Sequence, residues 1–515
     1  MLLRTAISVL TATAALFAQN DFNYDKLTSG RLNGPLSLQV SAAPPNAIAL
    51  FLVSYNAGPT PLILLDGVDT RSVQVGTDLL SSLSFQLTSP TGGALYSLLL
   101  PNDPTLNNIV LHWQTAMLLL GATFLGQISN DIVTQTGVQD TDVPAPATLV
   151  NPRAFAASFF DRNNNAGQGD VLIAGGGAGT LTAATGLAST ELWDFRHMQR
   201  VAGPNMTTSR ALHLAVTLSD NRVLVIGGAD ATGVVLSSCE IYDPTTNTFA
   251  ATGSMAIPRI LQGACLLADG RVMVAGGTST LQPDVTAAIT NTQATVEIWS
   301  PMTGMWTAAN PLGGARLAPA LTRLSNNQIM VSGGVQVTIF FGIPIAAVST
   351  TAVQRWNPAT SAWTAGASMA QGRAGHQYNQ VTLADGRVLM TGGVNVPSLL
   401  GATTAAPING AEAYNPTTNT WATYNMPNAR ALHSATRLAD GRVVVCGGSQ
   451  GTLLAPVSIA FVDVFNPTTN TWSAAPSLSG PLASHAAELL PDGTLVLFGG
   501  QGAAATVNTI ETLRF

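Results

Sequence analysis

The sequence predicts an all-β protein: a seven-bladed β-propeller preceded by a small β-sandwich. Three observations predict it. A glycine-ended strand signature returns seven times, an aromatic pair follows it at constant spacing, and an arginine opens almost every unit. Self-similarity at a fixed period marks a repeat architecture, in which each unit buries its apolar face only against its neighbours.

The first signature reads Asp220-Asn-Arg-Val-Leu-Val-Ile-Gly-Gly228, Asp385-Gly-Arg-Val-Leu-Met-Thr-Gly-Gly393 and Asp440-Gly-Arg-Val-Val-Val-Cys-Gly-Gly448. Related forms end at Gly277, Gly334 and Gly500, and a looser one lies at Gly175 to Gly177. Asp-Gly before a Val/Leu run is a hairpin signal, read here as a two-residue type I′ turn. The run is an inner strand, and Gly-Gly ends it where another backbone passes closely. The second signature pairs Tyr242 with Phe249, Trp299 with Trp306, Trp356 with Trp363, Tyr414 with Trp421 and Phe465 with Trp472. Trp193 has Arg200 at the matching place. The Asn-Pro-Thr-Thr-Asn segment between such aromatics is a turn, because Pro fixes φ and Asn and Thr bond their own backbone. Each unit is therefore a meander of strands a, b, c and d.

The third signature is Arg153, Arg210, Arg259, Arg316, Arg373 and Arg430, with Leu482 at the seventh place. Repeats of about 50 residues with these marks resemble the kelch family. The resemblance covers roughly residues 150–515 and implies a propeller with one repeat per blade.

The chain stops after strand c of the last unit, and an open blade exposes an unpaired edge. The missing strand is expected from before the first repeat, with 132–138 as the candidate and 140–146 as a polar connector. Short strand-like runs at 36–40, 48–53, 62–65, 82–87, 98–100 and 109–111 read as an antiparallel sandwich. The expected division is a signal peptide at 1–18, a sandwich at 19–130 and a propeller at 131–515. The signal reading rests on Arg4, the apolar stretch 6–17 and Ala18 at the cleavage place. That stretch is too short for a membrane span. Export to the cell surface, periplasm or medium is the expectation.

Composition narrows the partners. Apolar residues make up 46%, Asp, Glu, Lys and Arg 9%, and the net charge is −6. No basic stripe is available to neutralise phosphates, so nucleic acid is not the expected partner. Cys239, Cys265 and Cys446 do not form a disulfide framework, and read as small core residues. A Cys239–Cys265 bridge stays open. No phosphate loop, zinc-spaced cluster or nucleophile elbow is present, and no cofactor is expected.

Topology places the d–a and b–c loops on one face. The b–c loops 278–295, 335–353 and 394–411 are the longest, and variable loops on a rigid scaffold carry function. The arginines Arg210, Arg259, Arg316, Arg373 and Arg430 open on the same face. They admit two readings. One is an anion- or sugar-binding mouth, using the guanidinium fork. The other is internal pairing with the strand c series Glu191, Glu240, Glu297, Gln354, Glu412, Asp463 and Glu511. His213, His376, His433 and His485 follow the arginine place by three, as ligands or as repeated hydrogen-bonding residues. The apolar run 339–345 is either an exposed anchor or a strand extension packed on a neighbour.

The functional expectation is an exported protein that binds a glycan or an extracellular protein on its loop face. The alternative is a carbohydrate-active enzyme. Copper-radical oxidases similar to galactose oxidase share the sandwich-plus-kelch plan, but that resemblance implies an axial Tyr followed by His, and no Tyr-His dipeptide occurs here. A sialic-acid mutarotase of kelch type is the other enzymatic resemblance, and would employ Arg316 or Arg373.

Overall fold

The computed structural model describes residues 23–515 apart from 27–29, 32–34, 56, 62–71, 76–83, 101–105, 119–127, 130–131, 138–141, 146, 161–170, 180–184, 195–196, 281–284, 341–342, 378, 400–404 and 453–454. The proposed signal segment and the run 62–65 lie outside the described residues.

Two larger sheets and a two-stranded pair, Ala57–Pro61 with Ser72–Val75, form the N-terminal part among the described residues. One larger sheet holds Asn23–Lys26, Pro35–Ser41 and Ala94–Leu99; the other holds Gly30–Arg31, Ile132–Gly137, Val110–Leu118, Ile48–Ser54 and Ser84–Leu87. Alternate residues of each sheet face the other. Leu36, Leu38 and Val40 meet Phe51, Val53, Trp113 and Ile132 in one apolar layer. Tyr96 bridges the layer, with ring centroids 5.2 Å from Phe51 and 5.6 Å from Trp113.

The rest is a propeller of seven four-stranded antiparallel sheets among the described residues. Their innermost strands, from Ala157–Phe160 through Ala486–Leu489, neighbour one another around an axis. Strand b of each is a short apolar run buried on both faces, as in Val223–Ile226 and Val443–Cys446. The aromatic signature is a register pair between strands c and d: Tyr242 opposes Phe249, Trp299 opposes Trp306, and Phe465 opposes Trp472. Ring centroids lie 5.0 Å apart for Tyr414 and Trp421. The indole N–H groups of Trp306, Trp363, Trp421 and Trp472 donate to backbone oxygens of Gly253, Asn310, Ala367 and Tyr424 in the preceding sheet. The aromatic series thus joins neighbouring sheets at their outer edges.

Two details correct the sequence reading. The strand that completes the last sheet is Asp142–Pro144, paired with Leu513, Thr512 and Glu511, and not 132–138. Ile132–Gly137 pairs with Val110–Leu118 in the sandwich, and Ile132 is buried there. The connector reading of 140–146 failed because proline is excluded from the middle of a sheet; an edge strand with one neighbour accepts it. The a–b turns are also not of type I′. Only Asn221, Gly270, Gly386, Gly441 and their equivalents have positive φ, and each Asp before them does not. The bonds Asn221 N to Leu218 O (3.1 Å) and Leu218 N to Arg222 O (2.7 Å) define a three-residue loop, a type I turn with a bulge.

The Gly-Gly signature has a steric cause. Gly392 and Gly393 have φ of 52° and 97°. A Cβ on Gly392 would lie 2.2 Å from the carbonyl oxygen of Arg430 in the next sheet. Only glycine combines that backbone with that approach.

Candidate functional site

The arginine series does not face solvent. Arg153, Arg210, Arg259, Arg316, Arg373 and Arg430 are at most 3% exposed. Each lies just before strand a and reaches under its own sheet. Arg373 donates to the carbonyls of Gly392 (3.0 Å) and Gly410 (2.8 Å) and to Glu412 Oε1 (2.6 Å). Arg153–Glu191, Arg210–Glu240, Arg259–Glu297 and Arg430–Asp463 repeat the pair. The carboxylate also accepts backbone N–H groups from the incoming chain: Glu240 from Thr207 (2.7 Å) and Thr208 (3.1 Å), Glu412 from Ala370 (2.6 Å) and Gln371 (3.2 Å). One ion pair therefore fixes the d–a loop, the end of strand b and the start of strand c. Burial lowers Arg373 from its usual range, and Glu412 opposes that shift. Arg316 meets the neutral Gln354 at 3.4 Å, and with no carboxylate to offset burial it is pushed down to about 10. Glu511, opposite Leu482, accepts from Ser479 Oγ at 2.8 Å.

The histidines lie between sheets. His376 Nε2 is 3.2 Å from Ser332 Oγ, His433 Nε2 is 2.8 Å from Thr391 Oγ1, and His485 Nε2 is 2.9 Å from Ser434 Oγ. Ser332 and Thr391 are the residues just before Gly-Gly in the preceding unit. This partner is visible in the sequence only when units are compared in adjacent pairs. His213 faces Ala174 at that place, and neither of its ring nitrogens has a hydrogen-bond partner. Burial pushes His213 down to about 3 and His485 to about 4, with His376 and His433 also well below the usual range. A depressed folded-state pKa means that the unfolded chain binds more protons between the two values. Stability is then complete above about pH 6.5 and falls as pH drops below it. Lowering the pH from about 6.5 to 5 should cost about 2 kcal/mol through His213 alone, and urea titrations of His213→Gln should show that part of the slope removed.

A ring of left-handed residues frames the axis. Phe155, Leu212, Leu261, Ala318, Leu432 and Ser484 have φ between 51° and 58°, with Gly375 at 70°. Each follows the arginine place by two. Backbone N–H groups of Phe155, Leu212, Ala318, Gly375 and Ser484 donate to the carbonyls of Ser484, Phe155, Leu261, Ala318 and Leu432. These bonds between equivalent residues of neighbouring units explain why non-glycine residues hold a conformation that is otherwise disfavoured.

Inside the rim lies an axial cavity of about 310 Å³, walled by alanines and by His213, His433, His485, Gln377, Asn379, Ser158, Thr436 and Glu488. Sequence reasoning missed Glu488. The signal was available: sister strands carry Val216, Cys265, Thr322 and Thr436 at its place.

The long b–c loops stand on the rim face. Residues 335–349 form a hairpin, Val335–Phe340 with Ile343–Ser349, to which Ala315–Leu317 adds a strand. Helix Val285–Thr290 and the segment Val394–Asn395 flank its base. Ile289, Val335, Val337, Ala347, Val396 and Ala405 pack together there. The tip is different: Phe340 is 60% exposed and Ile343 64%, with Ile339 and Ile345 also open. Ile339 and Phe340 on one side and Ile343 and Ile345 on the other do extend the two strands, with these four side chains exposed. None of Cys239, Cys265 and Cys446 is in a disulfide, so there is no Cys239–Cys265 bridge.

Comparison with known proteins agrees with this architecture. The Kelch motif model matches residues 210–256 and 431–479. Galactose oxidase from Gibberella zeae is 30% identical over 79 residues, 15% of this chain and 12% of that protein's length. A solved fungal alcohol oxidase of the AA5 family, in complex with copper, matches with a TM-score of 0.54 at 16% identity, over 72% of this chain and 75% of that one. The chain thus carries Kelch motifs in two of its units, and its fold is similar to that of the copper-bound fungal alcohol oxidase.

Proposed function

We propose that this is an exported binding protein that holds an extracellular protein partner on its loop face, anchored by the hairpin 335–349. The supporting observation is the exposed tip of Ile339, Phe340, Ile343 and Ile345, raised on a base packed by loops of three successive units. A contiguous apolar tip on a rigid support is the composition of an interface anchor. Its four exposed side chains, three of them isoleucine, offer no hydrogen-bonding group to the hydroxyls of a glycan, which favours a protein. The arginine series, enclosed and, apart from Arg316, ion-paired, serves the scaffold in this reading. Export rests on the N-terminal sequence pattern.

The names of the relatives raise copper-dependent oxidation as a second reading. The donor set of the described residues does not fit it. Among the described residues no three His, Cys, Asp or Glu side chains are grouped to hold a metal ion. The phenols of Tyr242 and Tyr414 donate to Asn247 and Asn419 within their own turns.

A labelled thiol tests the proposal. The native cysteines suit the design: Cys446 is fully buried, and burial pushes Cys239 and Cys265 up to about 11 and 12. A benzophenone on Phe340→Cys should give one discrete protein adduct in the extracellular fraction of the source organism. The same label on Met302→Cys, on the opposite face, should give none. Equal yields, or no adduct at either position, would sink the reading.

A further inference from the structure

We propose that the axial cavity is a binding site for a small organic cation, an ammonium compound held by the carboxylate of Glu488. This site is separate from the hairpin and does not depend on the loop-face reading.

The argument starts from complementarity. Glu488 lies on the innermost strand of the last sheet and lines the cavity. Ser158 Oγ of the neighbouring innermost strand donates to its Oε1 at 3.0 Å. The Glu488 carboxylate is half-buried on the cavity wall, and a cation would offset the water it has lost there. None of the side chains that line the cavity is cationic. On the strands packed against Glu488, the titratable or charged groups are few. Ala157–Phe160 and Thr494–Gln501 carry none, and the Ser434–Arg437 strand carries Arg437, which is exposed and donates to Thr382 O at 3.0 Å. His433 and His485, at the rim, are held neutral by burial.

The rest of the lining offers lone pairs. His213, 2% exposed, has no partner at either ring nitrogen and lines the same cavity. Being neutral, it presents one acceptor nitrogen. Thr436 and Ser158 add hydroxyl oxygens, and the alanine walls suit an alkyl body. The cavity is far larger than a bare metal ion. Departures from the repeat also gather here. Arg373 stands twelve residues before Asp385, where sister units have ten, and the longer segment supplies Gln377 and Asn379 to the lining. A repeat that is broken where it meets the axis marks a place with its own requirement.

Burial pushes the Glu488 carboxyl up to about 7, opposed by the Ser158 hydrogen bond. A bound cation favours the ionised form, so binding releases a proton and tightens as pH rises through that value. Calorimetry with n-butylammonium and choline, against n-butanol and butyrate, tests the assignment on the full-length protein. Both cations should bind, with n-butanol and butyrate at least about tenfold weaker, because only a cation pairs with the carboxylate. Affinity should rise about tenfold from roughly pH 6 to pH 8. Glu488→Gln, which keeps the shape and removes a desolvated charge, should lose the cation preference and the pH dependence. Absence of heat from both cations, equal binding of n-butanol, or unchanged binding by folded Glu488→Gln would each overturn the proposal.

Discussion

Replacing Arg373 by alanine is expected to lower stability by about 3–5 kcal/mol. The substitution removes three hydrogen bonds and leaves Glu412, fully enclosed, without its counter-charge. A loss of that size is a large share of a domain's net stability. Thermal unfolding followed by circular dichroism should show the transition shifted down strongly, or folded protein absent at 37 °C. Two comparisons separate the ionic cause from lost packing. Arg316→Ala should cost less, about 1–3 kcal/mol, because its partner Gln354 is neutral and leaves no buried charge behind. Arg373→Met combined with Glu412→Leu should recover much of the loss, since replacing both partners of a buried pair is far milder than removing one. A single Arg373→Ala variant that unfolds like wild type would show the pair to be dispensable.

Gly392→Ala is expected to be comparably damaging. The added methyl group meets the Arg430 carbonyl oxygen at 2.2 Å, and the backbone at φ 52° disfavours a side chain as well. The obstacle is main chain of the next sheet, so relief requires neighbouring sheets to separate. That should cost about 3 kcal/mol or more, combining overpacking with backbone strain. Gly441→Ala gives the control. Its φ is 91°, but its Cβ would meet nothing, so only the conformational penalty of about 1 kcal/mol remains. Urea denaturation of the two variants should separate them by about 2 kcal/mol; equal losses would show that close approach does not explain the Gly-Gly signature.

The repeat plan was legible because each signature answers a local need that recurs. Tyr414 stacks on Trp421 across a hairpin, and Arg373 meets Glu412 within one unit. The aromatic pair keeps one offset, and the arginine and its acid recur in the same order in most units, so comparing units finds them. What depended on a neighbouring unit was harder to see. The hydroxyl partner of His433 is Thr391, in the preceding unit, and no offset within one unit points to it. The closing strand Asp142–Pro144 is three residues long and contains a proline, so local pattern gave it no strand signal. Ile132–Gly137 has a better strand pattern but satisfies it in the sandwich. Glu488 was hidden for the opposite reason. It breaks the repeat, and only the axial placement of its strand gives that break a meaning.

The central claim is a division of labour: arginines hold the propeller together, and the hairpin tip recognises the partner. Crosslinking from the Phe340→Cys label, measured beside melting temperature in Ile343→Asp and Arg316→Lys backgrounds, tests it most directly. The account predicts that Ile343→Asp loses the adduct at an unchanged melting temperature, because Ile343 is 64% exposed. It predicts that Arg316→Lys keeps the adduct while melting earlier, because lysine cannot span the Gly333 and Ala352 carbonyls and Gln354 together. Loss of the adduct in Arg316→Lys at an unchanged melting temperature, with Ile343→Asp still crosslinking, would contradict the account and return the arginines to the binding site.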